Sequence, residues 1–387
     1  MKRSLLLTHD FPPVISGIST VFYHIWKHYS QDRYMVLTRR VEGFKTFDRT
    51  AAFRPRRIRA PKTGKPGKII TFFLMAFWTT YYVLFRSVRE IHAGQILSCG
   101  PIGYLFQKLF GIPWFLWVYG GETSAAYRRS KWEEKLVNIL LRECTYIVTN
   151  SSVVTREFVD YGISEKRIIE IVPAVDADIF TPGPPPANLI EKLGLEGKQV
   201  LLTVARLTKR KGHDLVLKAM DMLRNRDNLR YVIVGSGEDR ERLEGLVETL
   251  GLTGSVICAG RVEDSELPDY YRLCDIYVMP NREVLESTDS IEGFGISFIE
   301  ANACEKPCIG GRSGGAEAAV VDGVTGYLIN PENAEELAEK ICFLLDNPDV
   351  SADMGRAGRM RVLREFSWET RAHTLAGYFT VPVEVGQ

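Results

Sequence analysis

Residues 292–300 read Glu-Gly-Phe-Gly-Ile-Ser-Phe-Ile-Glu, and this stretch decides the fold. Glycines 293 and 295 let the chain turn closely directly after Glu292. From Ile296 to Cys304 apolar residues recur at helical spacing, which predicts a helix opening near Ile296 or Ser297. A helix N-terminus behind glycines offers free backbone N–H groups and the positive end of the helix dipole, a setting for a phosphate or diphosphate. Glu300 falls about one turn into that helix, near the same end, where its carboxylate can accept from both hydroxyls of a ribose. Glu292, on the loop, can do the same for a sugar. Donors for a diphosphate beside two acceptors for polyols describe a nucleotide-sugar site.

Outward from this segment, short apolar runs alternate with helical patterns. Val200–Ala205, Tyr231–Gly235, Val256–Ala259, Ile276–Met279 and Pro307–Gly310 read as buried strands. The N-terminal half repeats the pattern: Leu5–Leu7, then Tyr34–Leu37, Gln95–Ser98, Trp114–Val118 and Tyr146–Asn150, with an apolar-periodic helix from Ile18 to Tyr29. Alternating strands and helices predict parallel sheets covered on both faces. A chain of 387 residues fits two such domains. The stiff stretch Thr-Pro-Gly-Pro-Pro-Pro, 181–186, divides 1–180 from 181–369, and a last helical pattern begins near 370.

The segment Val204-Ala-Arg-Leu-Thr-Lys-Arg-Lys-Gly-His213 follows the first strand of the second half. A leaving nucleoside diphosphate develops negative charge, and two fixed cations there stabilise it. Together, Glu292–Ala303 and the Arg206…Lys211-Gly212 pair resemble the retaining glycosyltransferases of family 4. The resemblance spans nearly the whole chain and is dense from Arg206 to Gly326. It implies an α/β fold of the GT-B kind: two Rossmann-like parallel-sheet domains facing across a cleft. The first would be the acceptor domain, completed by a C-terminal helix at about 370–387, and the second the nucleotide-sugar domain. By position it assigns Arg206 and Lys211 to the diphosphate, Glu292 to the donor sugar, Glu300 to the ribose, and the backbone of Gly293, Phe294, Gly295 and Ile296 to sugar and diphosphate. Lys209 and Arg210 match nothing in the family and are expected to be solvated.

Other segments add weaker signals. Gly235-Ser-Gly237 lacks the third glycine of a dinucleotide fingerprint, since Arg240 stands there, and resembles the family's second phosphate-side loop. Arg261 and Val262 occupy the position bordering the nucleobase. Gly310-Gly-Arg-Ser-Gly-Gly-Ala316 is either a tight turn or a donor contact. Asp10-Phe-Pro-Pro-Val-Ile-Ser-Gly17 resembles the family's N-terminal loop, whose Gly-Gly pair faces the donor diphosphate; Ser16 replaces the first member and Gly17 keeps the second, with its backbone approach to the donor. Asp10 is a candidate for orienting an acceptor hydroxyl. In Val118-Tyr-Gly-Gly-Glu122, Tyr119 stands where many relatives carry histidine, which leaves an acid or base there in doubt. Glu122 either holds the acceptor or caps the following helix.

The near-zero net charge hides an asymmetry. Residues 1–170 carry 26 Lys and Arg against 13 Asp and Glu, while 171–387 carry 23 against 35. Eleven basic residues fall between Arg39 and Lys68, against Glu42 and Asp48. That bias implies an anionic partner for the first half. Directly after it, Ile69–Phe85 is an apolar and aromatic run of 17 residues. It is short for a bilayer span and reads either as a half-buried helix or as a peripheral membrane attachment. The blocks Met279-Pro-Asn-Arg-Glu283 and Glu292–Cys304 resemble the phosphatidylinositol-mannoside type of mannosyltransferase, which favours attachment. No nucleic-acid motif accompanies the basic charge.

Seven cysteines without a Cys-x-x-Cys pair exclude a disulfide framework or zinc ribbon and fit reduced thiols in the cytoplasm. The N-terminus does not read as a signal peptide. The expectation is therefore a cytoplasmic enzyme, peripheral at the inner face of the membrane. It would move a mannose- or glucose-type hexose from a GDP- or UDP-sugar to a lipid or glycan hydroxyl with retention, needing neither metal nor cofactor. A nucleotide-sugar epimerase and a non-catalytic nucleotide-sugar-binding module share the architecture. The first would need an acid–base set that the sequence does not offer. The second would have lost contacts that are intact here.

Overall fold

The computed structural model describes residues 2–14, 16–59, 64–122, 130–284 and 292–379, with backbone alone at 64–66. Two compact units divide the chain: Met1–Pro173 with Trp368–Gln387, and Ala174–Ser367.

The first unit is built on a parallel sheet of β1 (Arg3–Leu7), β2 (Tyr34–Arg39), β3 (Arg56–Ile58), β4 (Val88–Ala93), β5 (Trp114–Trp117), β6 (Tyr146–Thr149) and β7 (Ile168–Glu170). Their order is β3-β2-β1-β4-β5-β6-β7. Leu5, Leu7, Ile91, Trp114, Leu116 and Ile147 are wholly buried and carry the core. The expected strand at Gln95–Ser98 is a turn instead. The strand lies earlier, at β4, whose Arg89, Glu90 and His92 hide it from an apolar reading. Glu90 and His92 are fully buried and pair at 3.1 Å. The helix Trp368–Ala376 closes on this unit, where Tyr29 Oη donates to Ala372 O at 2.9 Å and His24 stacks on Trp368. The part of the expected C-terminal helix beyond 379 lies outside the described residues.

The helix Gly64–Phe85 covers one face of this sheet with Met75, Thr79, Tyr82 and Val83, all buried. Its span Gly67–Phe85, 19 residues of mean hydropathy 1.5, is long and apolar enough to cross a membrane by length and composition. Its opposite face leaves Ile69, Ile70, Phe73, Phe77, Leu84 and Phe85 exposed. At 100° per residue these positions fall within one half of the helix surface. Of the basic stretch before it, Lys62 and the Lys65 side chain lie outside the described residues.

The second unit has six parallel strands: β8 (Gln199–Val204), β9 (Leu229–Val234), β10 (Val256–Gly260), β11 (Ile276–Met279), β12 (Cys308–Gly311) and β13 (Gly326–Ile329), in the order β10-β9-β8-β11-β12-β13. Leu201, Tyr231, Ile276, Val278, Ile309 and Leu337 centre its core. In each sheet the strand order reverses once, between β1 and β4 and between β8 and β11. The carboxyl ends flanking such a reversal are where open α/β sheets bind ligands. All seven cysteines are free thiols.

Candidate active site

In the second unit the switch point lies beside Arg206, which follows β8 and is exposed to solvent. Its carbonyl accepts from Thr208 N at 3.0 Å and from His213 Nε2 at 3.3 Å. Burial holds His213 near pKa 4, so it stands as a neutral imidazole between that carbonyl and Tyr231 Oη, 3.1 Å away. One helical turn at Lys209–Lys211 then sends successive side chains in different directions. Lys209 is exposed, Lys211 half-buried and Arg210 buried. The solvated Arg210 expected from sequence is thus corrected: its Nη1 donates to Glu292 Oε2 at 2.5 Å, and Lys211 Nζ donates to the same oxygen. Nothing local to residues 209–211 signals this pairing, because the carboxylate arrives from about eighty residues on.

Burial opposes ionisation of Glu292, but Lys211 and Arg210 outweigh it and hold the carboxyl at about 2. The loop itself is braced from two sides. Gly212 adopts φ +73°, and a Cβ there would meet Pro280 O at 2.1 Å, so only glycine fits behind Lys211. Arg282 N donates to Arg210 O at 2.9 Å, while the Arg282 guanidinium grips Asp214 at 2.6 Å. Met279-Pro-Asn-Arg-Glu283 therefore works as a strut under the cationic turn.

The Glu292 loop leads into the helix Ile296–Ala303 through Gly295, at φ +86°, with no side chain capping the helix start. Phe298, Ile299, Ala301, Asn302 and Ala303 are buried, which leaves Ile296, Ser297 and Glu300 as the partly open face. Two buried tyrosines order that face: Tyr277 Oη donates to Ser297 Oγ and Tyr271 Oη to Glu300 Oε2, each at 2.6 Å. Burial raises the Glu300 carboxyl to about 7 against the Tyr271 bond, with Asp264 adding to the rise. Neither tyrosine was visible as a site residue in the sequence.

The glycine loops have local reasons. Cβ atoms on Gly235 and Gly237 would meet Ala205 O at 1.9 Å and Leu207 O at 2.2 Å, so these glycines seat their turn on the Arg206 segment. Of 310–316, Gly315 N donates to Glu292 O at 2.6 Å, and a Cβ there would meet Gly293 O at 2.1 Å. Arg312 turns back to Asp322 and Leu328 O. This loop supports Gly293 from behind, which favours the tight-turn reading. Arg261 is exposed and Val262 half-buried just past β10.

In the first unit, Asp10 and Gly17 follow β1. Gln95 Nε2 reaches Asp10 Oδ2 at 3.4 Å, and Gln95 Oε1 accepts from His9 N at 3.0 Å. The hydroxyl of Ser16 is taken by Ser19 N as a helix cap, and Gly17 opens the helix Gly17–Lys27. Ile15 of this loop lies outside the described residues. Tyr119 Oη donates to Gly94 O at 3.1 Å. Both carboxylate oxygens of buried Glu122 accept at 2.7 Å, from Tyr119 N and Gly120 N, so the side chain ties its own turn. Burial pushes that carboxyl up to about 8 despite those bonds.

Residues 187–361 match the family described as glycosyl transferases group 1. A GDP-mannose-dependent alpha-(1-6)-phosphatidylinositol monomannoside mannosyltransferase of Mycobacterium tuberculosis is 34% identical over 394 residues, covering 98% of each chain. The protein of the same description from Mycolicibacterium smegmatis is 36% identical over 206 residues, about half of each chain. The Anabaena protein HepE, solved with UDP and glucose, superposes with a TM-score of 0.82 at 19% identity, covering 97% of this chain and 99% of its own, a likeness of fold. The chain belongs to the group 1 glycosyl transferases, with the two Rossmann-like parallel-sheet domains of the GT-B architecture.

Proposed function

We propose that this enzyme moves a hexose, mannose from GDP-mannose before others, onto a hydroxyl of a phosphatidylinositol-type lipid, with retention at the anomeric carbon. The observation that carries the reading is the convergence of Arg210 and Lys211 on Glu292, directly before an uncapped helix that presents Glu300 one turn in. The donor and acceptor follow what the full-length relative is named for.

Arg206, Lys211 and the helix start at Ile296 hold the diphosphate and stabilise it as it leaves. Glu292, kept ionised by its two cations, accepts from the sugar hydroxyls and fixes the direction of Lys211. Glu300 accepts from the ribose. Gly293, Phe294 and Gly295 leave their backbone close to the sugar, and Gly235, Gly237, Arg261 and Val262 border the nucleotide. Asp10, Tyr119 and Glu122 shape the acceptor side in the first unit, Glu122 through the turn it ties, and Gly17 keeps the donor-side role that its loop implies. With the charge compensated by side chains and helix, the departing phosphate takes the acceptor's proton on the same face of the sugar, and no metal is required.

The enzyme works from the cytoplasm, attached at the membrane surface. The exposed stripe from Ile69 to Phe85 enters the interfacial region and the basic residues before it meet anionic headgroups. Incubation with a panel of nucleotide-sugars and a lipid extract tests the reading. Release of nucleoside diphosphate that depends on lipid supports it. Sugar interconversion without release points to an epimerase, and binding without either to a non-catalytic module.

A further inference from the structure

We propose that a second anion site, apart from the donor site, lies in the first unit between β2, β3 and the C-terminal end of the helix Gly64–Phe85, and that it takes the phosphate of a glycerol-phosphate-sized group. A cavity of about 580 Å³ opens there, lined by Arg40, Arg54, Arg56 and Arg86, by Tyr34, and by Asp48 with Arg57. That volume suits a phosphate carrying a polyol rather than a lone ion.

The polar lining is almost entirely donors. Asp48 is the one acid on the wall, and it is spent on Arg57, which meets both its oxygens at 2.8 to 3.0 Å. Among the described residues, Arg40, Arg54, Arg56 and Arg86 pair with no carboxylate, although they share one cavity. Arg56 is presented rigidly: its guanidinium lies 4.1 Å over the Trp78 ring and its Nε donates to Tyr82 Oη at 3.2 Å. Arginine forks call for a ligand that only accepts, and phosphate oxygens are that ligand. Phe85 packs against Tyr81 at the rim, so a phosphate bearing an acyl tail and a free phosphate both meet the chemistry.

Calorimetry on the full chain with glycerol 3-phosphate, and co-sedimentation with phosphatidylcholine vesicles with and without phosphatidylglycerol, distinguish the two sources. Two variants are compared: Arg54→Gln with Arg86→Gln, and Lys211→Ala in the donor site. The double arginine variant should lose about tenfold in affinity, as expected for one or two charge-assisted bonds, with GDP binding unchanged. Loss of the soluble arm assigns a free phosphate, and loss in the vesicle arm alone assigns a lipid headgroup. Binding that survives in the arginine variant but disappears with Lys211→Ala places the phosphate in the donor site and overturns the proposal. So does the absence of any response to the arginine variant in both arms.

Discussion

Lys211 Nζ donates to Glu292 Oε2, and Arg210 Nη1 shares that oxygen. A half-buried carboxylate thus stays ionised because two cations surround it. The depressed Glu292 carboxyl contributes stability above the ordinary carboxylate value of 4.5, and this is lost as pH falls toward about 2. Glu292→Gln leaves two cations uncompensated and should cost about 3 kcal/mol at neutral pH. In acid-titrated melts the gap to wild type should close between those two values. A gap independent of pH would mean that the carboxylate is not held by the pair.

Arg206 and Lys211 should separate in stability while agreeing in activity. Arg206 is exposed, so Arg206→Ala should melt closer to wild type than Lys211→Ala, which weakens the Glu292 pair. Each should lower turnover by roughly a hundredfold, the loss of one charge-stabilising donor. Both rates should persist in excess EDTA. Rates near wild type in both variants, or abolition by chelator with rescue by magnesium, would remove the diphosphate clamp from the account.

Glu300 gives a pH signature. Its carboxyl is raised to about 7, so the neutral form dominates below that and the ionised form above it. The ionised form accepts from both ribose hydroxyls, so GDP affinity should rise as pH passes 7, and Glu300→Gln should abolish that component. The same raised value adds stability at low pH that is lost as pH rises through 7. Calorimetry across this range checks both signs. A binding profile identical in Glu300→Gln and wild type would take Glu300 away from the ribose.

Much of this was legible in the sequence, for physical reasons that also explain the gaps. β1, β8 and β11 announce themselves through the apolar runs Leu5–Leu7, Val200–Leu202 and Ile276–Met279, which are buried on both faces. β4 was misplaced because its buried Glu90 and His92 satisfy each other two residues apart, and hydropathy counts both as polar. β3, β7 and β13 are only three or four residues long and fall below any periodic signal. Glu292, Glu300 and the glycines were readable because turn and helix start are local. Arg210, Tyr271 and Tyr277 were not, because their partners come from distant strands and loops.

Membrane attachment should depend on the exposed stripe as well as on charge. Phe73 and Phe77 are 65% and 64% exposed on the helix Gly64–Phe85. Burying one such ring contributes about 2 kcal/mol, so Phe73→Asp with Phe77→Asp should lower partition onto anionic vesicles by well over about tenfold. Replacing exposed Arg54 and Arg59 should instead reduce the salt-sensitive part. Arg57 is a poor choice for such a test, since it is buried on Asp48 and Pro12 O. Vesicle binding that is untouched by either change would make a soluble acceptor the better reading.

The most direct test is the stereochemistry of the product. GDP-mannose, the enzyme and a phosphatidylinositol-containing membrane extract are followed by NMR through the first turnover. The account predicts GDP release in step with the appearance of an α-linked mannosyl lipid, matching the α-configuration of the donor, and loss of both signals in Lys211→Ala. A β-linked product would contradict the same-face mechanism, and the absence of GDP release with any lipid or nucleotide-sugar would contradict the transferase reading itself.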